Sequence, residues 1–135
     1  QAVLGGIGAV SLLVAAIGIA NTMMMSIYER TKEIGVMKVI GCSLGNIRQL
    51  FLLEAAFIGL IGGIAGNILS LILSAVINLL VSGEALLGVP GNISYIPLWL
   101  MLASAGFAVL VGMAAGYFPA VRAMKLSPLA AIRNE

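Results

Sequence analysis

The side chains able to do chemistry in this chain are few, and most of them stand close together. The run Glu29-Arg30-Thr31-Lys32-Glu33-Ile34-Gly35-Val36-Met37-Lys38-Val39-Ile40-Gly41-Cys42-Ser43 holds three of the seven basic residues and two of the five acids. Outside that run, Glu54 is the only ionisable residue well inside an apolar stretch. The chain has no His and no Asp, which removes Ser-His-Asp and Cys-His constellations and aspartyl dyads. Cys42 is the single cysteine, and without a His it offers no zinc site and no disulfide framework. No G-x-x-x-x-G-K-[ST] loop is present, so phosphate-loop nucleotide binding belongs elsewhere if it occurs at all. Neither a catalytic residue nor a metal ligand is expected. What remains is the chemistry of charge pairing and of surface contact.

The elements that position these residues are membrane spans. The chain is 61% hydrophobic and 9% charged, against roughly 25% charged in an ordinary soluble domain. Its mean hydropathy is +1.17. Stretches 1–28, 55–83 and 85–121 carry no charge, and each exceeds the ~20 residues a helix needs to cross ~30 Å of hydrocarbon. They lack the period-2 alternation of barrel strands. The expected fold class is therefore all-α, an integral membrane helical bundle with three transmembrane helices.

Charge placement sets the expected orientation. Arg30, Lys32, Lys38 and Arg48 lie between the first two spans, and Arg122, Lys125 and Arg133 follow the third. The loop 82–97 has only Glu84. The positive-inside rule puts the 29–48 linker and the C-terminus in the cytoplasm and the 82–97 loop outside. These bases sit at membrane edges with no aromatic interleaving, so nucleic acid is not an expected partner. The first span then starts outside. Residues 1–25 lack the basic n-region and cleavage site of a signal peptide, so the chain is expected to be a piece of a longer one.

The expected order is a span over 1–28 (out to in), a cytoplasmic helix and turn over 29–46, and a long span over 47–81 (in to out). An extracytoplasmic loop over 82–97, a span over 98–121 (out to in) and a cytoplasmic tail over 122–135 complete it. Ile34, Met37 and Ile40 read as a short apolar stripe on the connecting helix. Gly41 reads as its C-cap and Ser43 as the N-cap of the next helix. The stretch Gln49–Gly83 would make about 52 Å of helix, expected to tilt or kink near Gly62-Gly63. Asn92-Ile93-Ser94 matches a glycosylation sequon. The third span is expected to end at Tyr117-Phe118-Pro119.

Small residues form ridges. Ser104, Ala108, Gly112, Gly116 and Ala120 follow one another at i,i+4, as do Gly59 and Gly63, and separately Gly62 and Gly66. Such ridges let helix backbones approach closely in lipid. The approach is either within one protomer or across a two-fold interface between protomers. Glu54 likewise has two readings: a hydrogen bond to a neighbouring helix, or proton or substrate handling. Six residues place it about 240° from Arg48 on the helix, so those two should not pair. The 29–43 run is either a solvated connector or a contact surface.

Glu29 to Gly35, then Lys38, then Ile40-Gly41-Cys42-Ser43, resembles the segment after the second span of MacB/FtsX-like ABC-transporter permeases. Phe51-Leu52-Leu53-Glu54-Ala55 with Gly59, Gly62, Gly63 and Gly66 is similar to that family's third span. Phe118-Pro119-Ala120-Val121-Arg122-Ala123, with Ser127-Pro128 and Ala131 to Glu135, resembles its C-terminal signature. Cys42 stands where alanine is common and Asn134 where tyrosine is common.

The resemblance implies a permease subunit that transmits work from a cytoplasmic ATPase to the extracytoplasmic side, for export or efflux. It also admits a non-transporting regulator that activates an envelope enzyme or relays a signal. Glu29, Arg30, Thr31, Lys32, Glu33, Gly35 and Lys38 would form the coupling helix that docks on the ATPase. Gly59, Gly62, Gly63, Gly66, Ala108, Gly112 and Gly116 would pack helices or join protomers, and Glu54 would be the intramembrane polar residue. The implied partners are a cytoplasmic ATP-binding subunit or domain, a second permease protomer (the same or a different chain) and the lipid bilayer. No cofactor is expected in this chain, with ATP and Mg held by the partner ATPase. The implied location is the bacterial cytoplasmic membrane, multi-pass, with the C-terminus inside.

Overall fold

The structure, a computed structural model, describes residues 1–81 and 94–125. It comprises four helices: α1 (Ala2–Glu29), α2 (Thr31–Val39), α3 (Leu44–Val81) and α4 (Leu98–Met124). α1, α3 and α4 are each long and apolar enough to cross a membrane. Almost none of their most apolar windows is covered by the rest of the chain. In water such a surface would be untenable; in a bilayer every helical N–H and C=O is satisfied internally and the side chains meet lipid. The chain is a multi-pass membrane protein.

The short helix is cut out of the sequence by two local devices. Arg30 alone leaves the helical region, at φ −100° and ψ 20°, and separates α1 from α2. The Thr31 hydroxyl donates toward the carbonyls of Ile27 (3.0 Å) and Tyr28 (2.8 Å), covering acceptors that the end of α1 would otherwise leave open. At the other end Gly41 takes φ +88°, the left-handed conformation that a Cβ disfavours. Gly41 N–H then donates to Lys38 O and Cys42 N–H to Met37 O. That pair of bonds is a Schellman closure. Ser43 Oγ accepts from Asn46 N–H at 3.2 Å and starts α3. Both caps lie where the sequence puts them.

Buried apolar side chains gather at the α2 end of the bundle. Met23 and Ile27 of α1, Ile34 of α2, Ile47, Phe51 and Ala55 of α3, and Ala120 and Ala123 of α4 form one cluster. Every helix contributes to it. Further along, α3 and α4 remain closely paired, while residues 1–15 of α1 are exposed along their length. α1 packs on α4 more than on α3. Leu12, Ala15 and Ile19 line an apolar cleft of about 370 Å³ with Gly62, Phe107 and Val111.

The α3–α4 pairing explains most of the small residues. A Cβ on Gly112 would come within 2.6 Å of Ala55 O, and one on Gly63 within 2.9 Å of Ala108 Cβ. A Cβ on Gly59 would overlap the Ala108 carbonyl, and one on Gly116 the Ala55 side chain. Van der Waals contact at this range is what holds helices together in lipid. Gly59, Gly63, Ala108, Gly112 and Gly116 therefore serve packing within the protomer. Gly62 and Gly66 differ, with nothing within 4 Å of a Cβ at either.

Polar side chains tie the same pair toward its far end. Asn67 Nδ2 donates to Met101 O at 2.9 Å, and Ser104 Oγ lies 2.8 Å from Asn67 Oδ1. Asn78 donates to Ser94 O and accepts from Ser94 N–H, at 2.8 and 2.9 Å. Asn92 and Ile93 of the sequon lie outside the described residues, as does most of the 82–97 loop.

α3 is helical without interruption through Gly62-Gly63, because neither glycine loses an internal hydrogen bond by lacking a side chain. α4 runs on to Met124 with Pro119 inside it. Pro119 forgoes one N–H donor, and its ring is buried in the bundle, where packing offsets that loss. Along the apolar stripe of α2, Ile34 is buried and Met37 half-buried, whereas Ile40 is largely exposed. The tail beyond Lys125 lies outside the described residues.

Candidate functional site: the α2 corner

The residues singled out on the 29–43 run do not share one surface. The fold divides them. Ile34 and Gly35 are buried, Thr31 and Lys38 are half-buried, and Glu29, Arg30, Lys32 and Glu33 are exposed. Successive residues on a helix turn by 100°, so Thr31, Ile34, Gly35 and Lys38 lie within about 100° of one another, on the face toward the bundle. Val36, Val39 and Ile40 fall on the opposite face with Lys32 and Glu33, and all five are exposed.

Lys38 reaches the last turn of α4. Its Nζ donates to Met124 O at 2.8 Å and toward Ala123 O at 3.4 Å. These carbonyls belong to the last turn of α4 and carry the negative end of its dipole, so an ammonium is the matching group. Burial nonetheless lowers the Lys38 pKa below its ordinary value. A lowered pKa means that the charged form is, on balance, disfavoured in the folded state. That cost is present in full at low pH and is relieved as pH rises through the folded pKa toward the unfolded value. The contact therefore orients α2 against α4 more than it stabilises the fold.

Glu54 reaches the corner from α3. Ser26 Oγ donates to Glu54 Oε1 at 3.4 Å, and the Arg30 guanidinium stands 3.9 Å from the same oxygen. Of the two readings of Glu54, the hydrogen bond to a neighbouring helix is the one with geometry behind it. Its cation partner was missed from sequence: Arg30 is twenty-four positions away in the chain, and only the turn at Arg30 brings it within range. Arg48, the sequence neighbour, contributes no pair, and its Nε is buried without a hydrogen bond among the described residues. An exposed ion pair contributes about 0.2–1 kcal/mol, whereas removing a buried side chain such as Phe51 or Ile34 costs about 2–5 kcal/mol. The apolar cluster holds α2 in place, and the polar contacts set its angle.

The arrangement can thus carry displacement. It has a helix with one face bound to the ends of α3 and α4, a one-residue joint to α1, and an open opposite face. Comparison with known proteins says what such a chain is similar to. It is 43% identical over 130 residues to an uncharacterized ABC transporter permease of Methanocaldococcus jannaschii, covering 96% of this chain and 32% of that one. It is 39% identical to the ABC transporter permease YtrF of Bacillus subtilis, covering 96% and 31%. With the macrolide export ATP-binding/permease protein MacB of Wolinella succinogenes it shares 40% identity, covering 98% and 19%. The chain thus spans about a third or less of the length of these relatives. Residues 5–128 match the family described as FtsX-like permease C-terminal, and the chain belongs to that family.

Proposed function

We propose that this chain is the part of an ABC-type permease that receives work from a cytoplasmic ATP-binding subunit or domain and passes it into the membrane spans. The observation that carries the reading is the seating of α2 on the bundle: Lys38 reaches the end of α4, Ile34 is buried in the cluster shared with α3 and α4, and the joint at its N-terminus, Arg30, stands beside Glu54 of α3. A push on α2 is then felt by α3 and α4, whose backbones meet at Gly59 and Gly112 and behave as one body. Ser26 and Arg30 add α1 to the same joint. Export or efflux is the direction supported by the relative named for macrolide export.

On this reading α2 faces the cytoplasm, the C-terminus lies on the same side, and the membrane is the cytoplasmic one. ATP and Mg are bound by the ATPase, and a second permease protomer completes the machine. The charges at the α2 end, Arg30, Lys32, Lys38 and Arg48, support that orientation through the positive-inside rule. The test uses the full-length permease with its ATPase in lipid nanodiscs. Separating α2 from α3 and α4 by Lys38→Met with Glu54→Leu should reduce permease-stimulated ATP hydrolysis and transport together. Undiminished coupling in a folded complex would sink the proposal.

A further inference from the structure

We propose that the last turns of α4 hold an anionic phospholipid, its phosphate on Arg122 and Lys125 and its acyl chains against Phe118 and Val121. These four residues line a cleft of about 230 Å³. At 100° per residue they lie within about 100° of one another on the helix. Gly116, Ala120 and Ala123 of the same turns are buried against the bundle on the other side. The cleft therefore opens away from the bundle, toward lipid. The site is independent of the permease–ATPase reading and needs only that α4 cross a membrane.

Aromatic residues fix the depth of the cleft. Trp99 is 68% exposed and Tyr117 52%, and such side chains favour the membrane interfaces. Eighteen helical steps separate them, about 27 Å, close to the ~30 Å of a hydrocarbon core. Phe118 then stands at the edge of the hydrocarbon, 70% exposed. Arg122 lies about 6 Å further along the axis, inside a headgroup layer of about 5–8 Å. Lys125, one turn on, reaches the same layer from its outer side. Apolar and cationic groups thus follow one another at the spacing of acyl chain and phosphate.

Charge names the headgroup. α4 contains no acid, and neither cation has an ion pair among the described residues. The carbonyl end of a helix would by itself repel an anion. Here Lys38 Nζ donates to Met124 O at 2.8 Å, bringing a compensating positive charge to that end. The Arg122 guanidinium can meet two phosphate oxygens at once, and Lys125 adds a point charge. A zwitterionic headgroup would bring its own ammonium toward these cations. The ligand is therefore a phosphatidylglycerol-like lipid rather than a phosphatidylcholine-like one, as for basic pockets at the inner membrane face.

The test is native mass spectrometry of the full-length permease in detergent, reading the affinity of the first bound lipid. Phosphatidylglycerol should bind about tenfold more tightly than phosphatidylcholine. Arg122→Gln and Lys125→Gln should each weaken phosphatidylglycerol about fivefold, at about 1 kcal/mol per base. Thermal unfolding of the lipid-free protein should not change, since both side chains are exposed. Phe118→Ala should weaken both lipids. Lys32→Gln, which removes an exposed base from α2, should change neither. Wild-type affinity in the Arg122→Gln, Lys125→Gln double variant overturns the site, as does an equal loss in Lys32→Gln. Displacement of the lipid by millimolar inorganic phosphate assigns the cations to a free anion and overturns the lipid. A permease dimer that takes up no phosphatidylglycerol, and dissociates on Phe118→Ala, overturns the site in favour of a contact between copies.

Discussion

Lys38 Nζ stands 2.8 Å from the carbonyl oxygen of Met124, eighty-six positions further along the chain. One side chain thereby joins the short helix to the end of the last span. Charged hydrogen bonds contribute about 1.5–3 kcal/mol when nothing opposes them, but partial burial of the ammonium opposes this one and lowers the Lys38 pKa. Lys38→Met should therefore change the thermal unfolding of the detergent-solubilised permease by only about 1 kcal/mol. Its effect on ATPase coupling should be several-fold. A large loss of stability with coupling intact would reverse that assignment.

Glu54 accepts from Ser26 and pairs with Arg30. Glu54→Gln keeps a carbonyl for the serine and loses only the ion pair, so folding and most activity should survive. Glu54→Leu should lose both contacts and uncouple more strongly. A double-mutant cycle with Arg30→Gln should return about 0.2–1 kcal/mol of interaction, measured by thermal unfolding. Abolished transport in a well-folded Glu54→Gln protein would point instead to proton or substrate handling.

Gly59 and Gly112 sit where a Cβ meets backbone, whereas Gly62 faces open space. Gly59→Ala and Gly112→Ala should each destabilise the protomer by about 1–3 kcal/mol, the range of overpacked cores. Gly62→Ala should be tolerated within about 0.5 kcal/mol. Thermal unfolding in one detergent separates them, and equal losses at all three would contradict the α3–α4 register.

Gly41 closes α2 at φ +88° with no neighbour within 4 Å of a Cβ. Gly41→Ala meets no clash, so its cost should be the backbone term alone, about 1–2 kcal/mol. Gly41→Asn should recover part of it, since asparagine tolerates this conformation better. Hydrogen exchange at the Cys42 and Gly41 amides is the direct readout, and unchanged protection in Gly41→Ala would refute the Schellman closure as the stop of α2.

Much of this architecture was legible because charge and its absence are unambiguous. The uncharged stretches marked the spans, and Gly41 and Ser43 marked the caps. The small-residue ridge of α4 was visible too, although only the structure shows its contact with Ala55, Gly59 and Gly63 inside the protomer. Which part of the apolar stripe on α2 would be covered was not legible: Ile34 is buried and Ile40 exposed. Steps of three residues each fall about 60° short of a full turn, so Ile34, Met37 and Ile40 spiral off one face rather than lining it. The continuation of α4 through Pro119 was not legible, since a proline that halts a helix in water is accommodated within a packed membrane bundle. The Arg30–Glu54 pair depends on a one-residue turn whose direction no local pattern specifies.

The central claim is that α2 is bound to both long spans and moves them. The direct measurement is a pulsed electron–electron distance between spin labels at the ends of α1 and α4 farthest from α2, in the full-length permease with its ATPase in nanodiscs. ATP trapping should shift that distance in the wild-type complex. In Lys38→Met with Glu54→Leu the ATPase should remain bound while the shift disappears. An undiminished shift in that variant, with the ATPase still bound, would contradict the account.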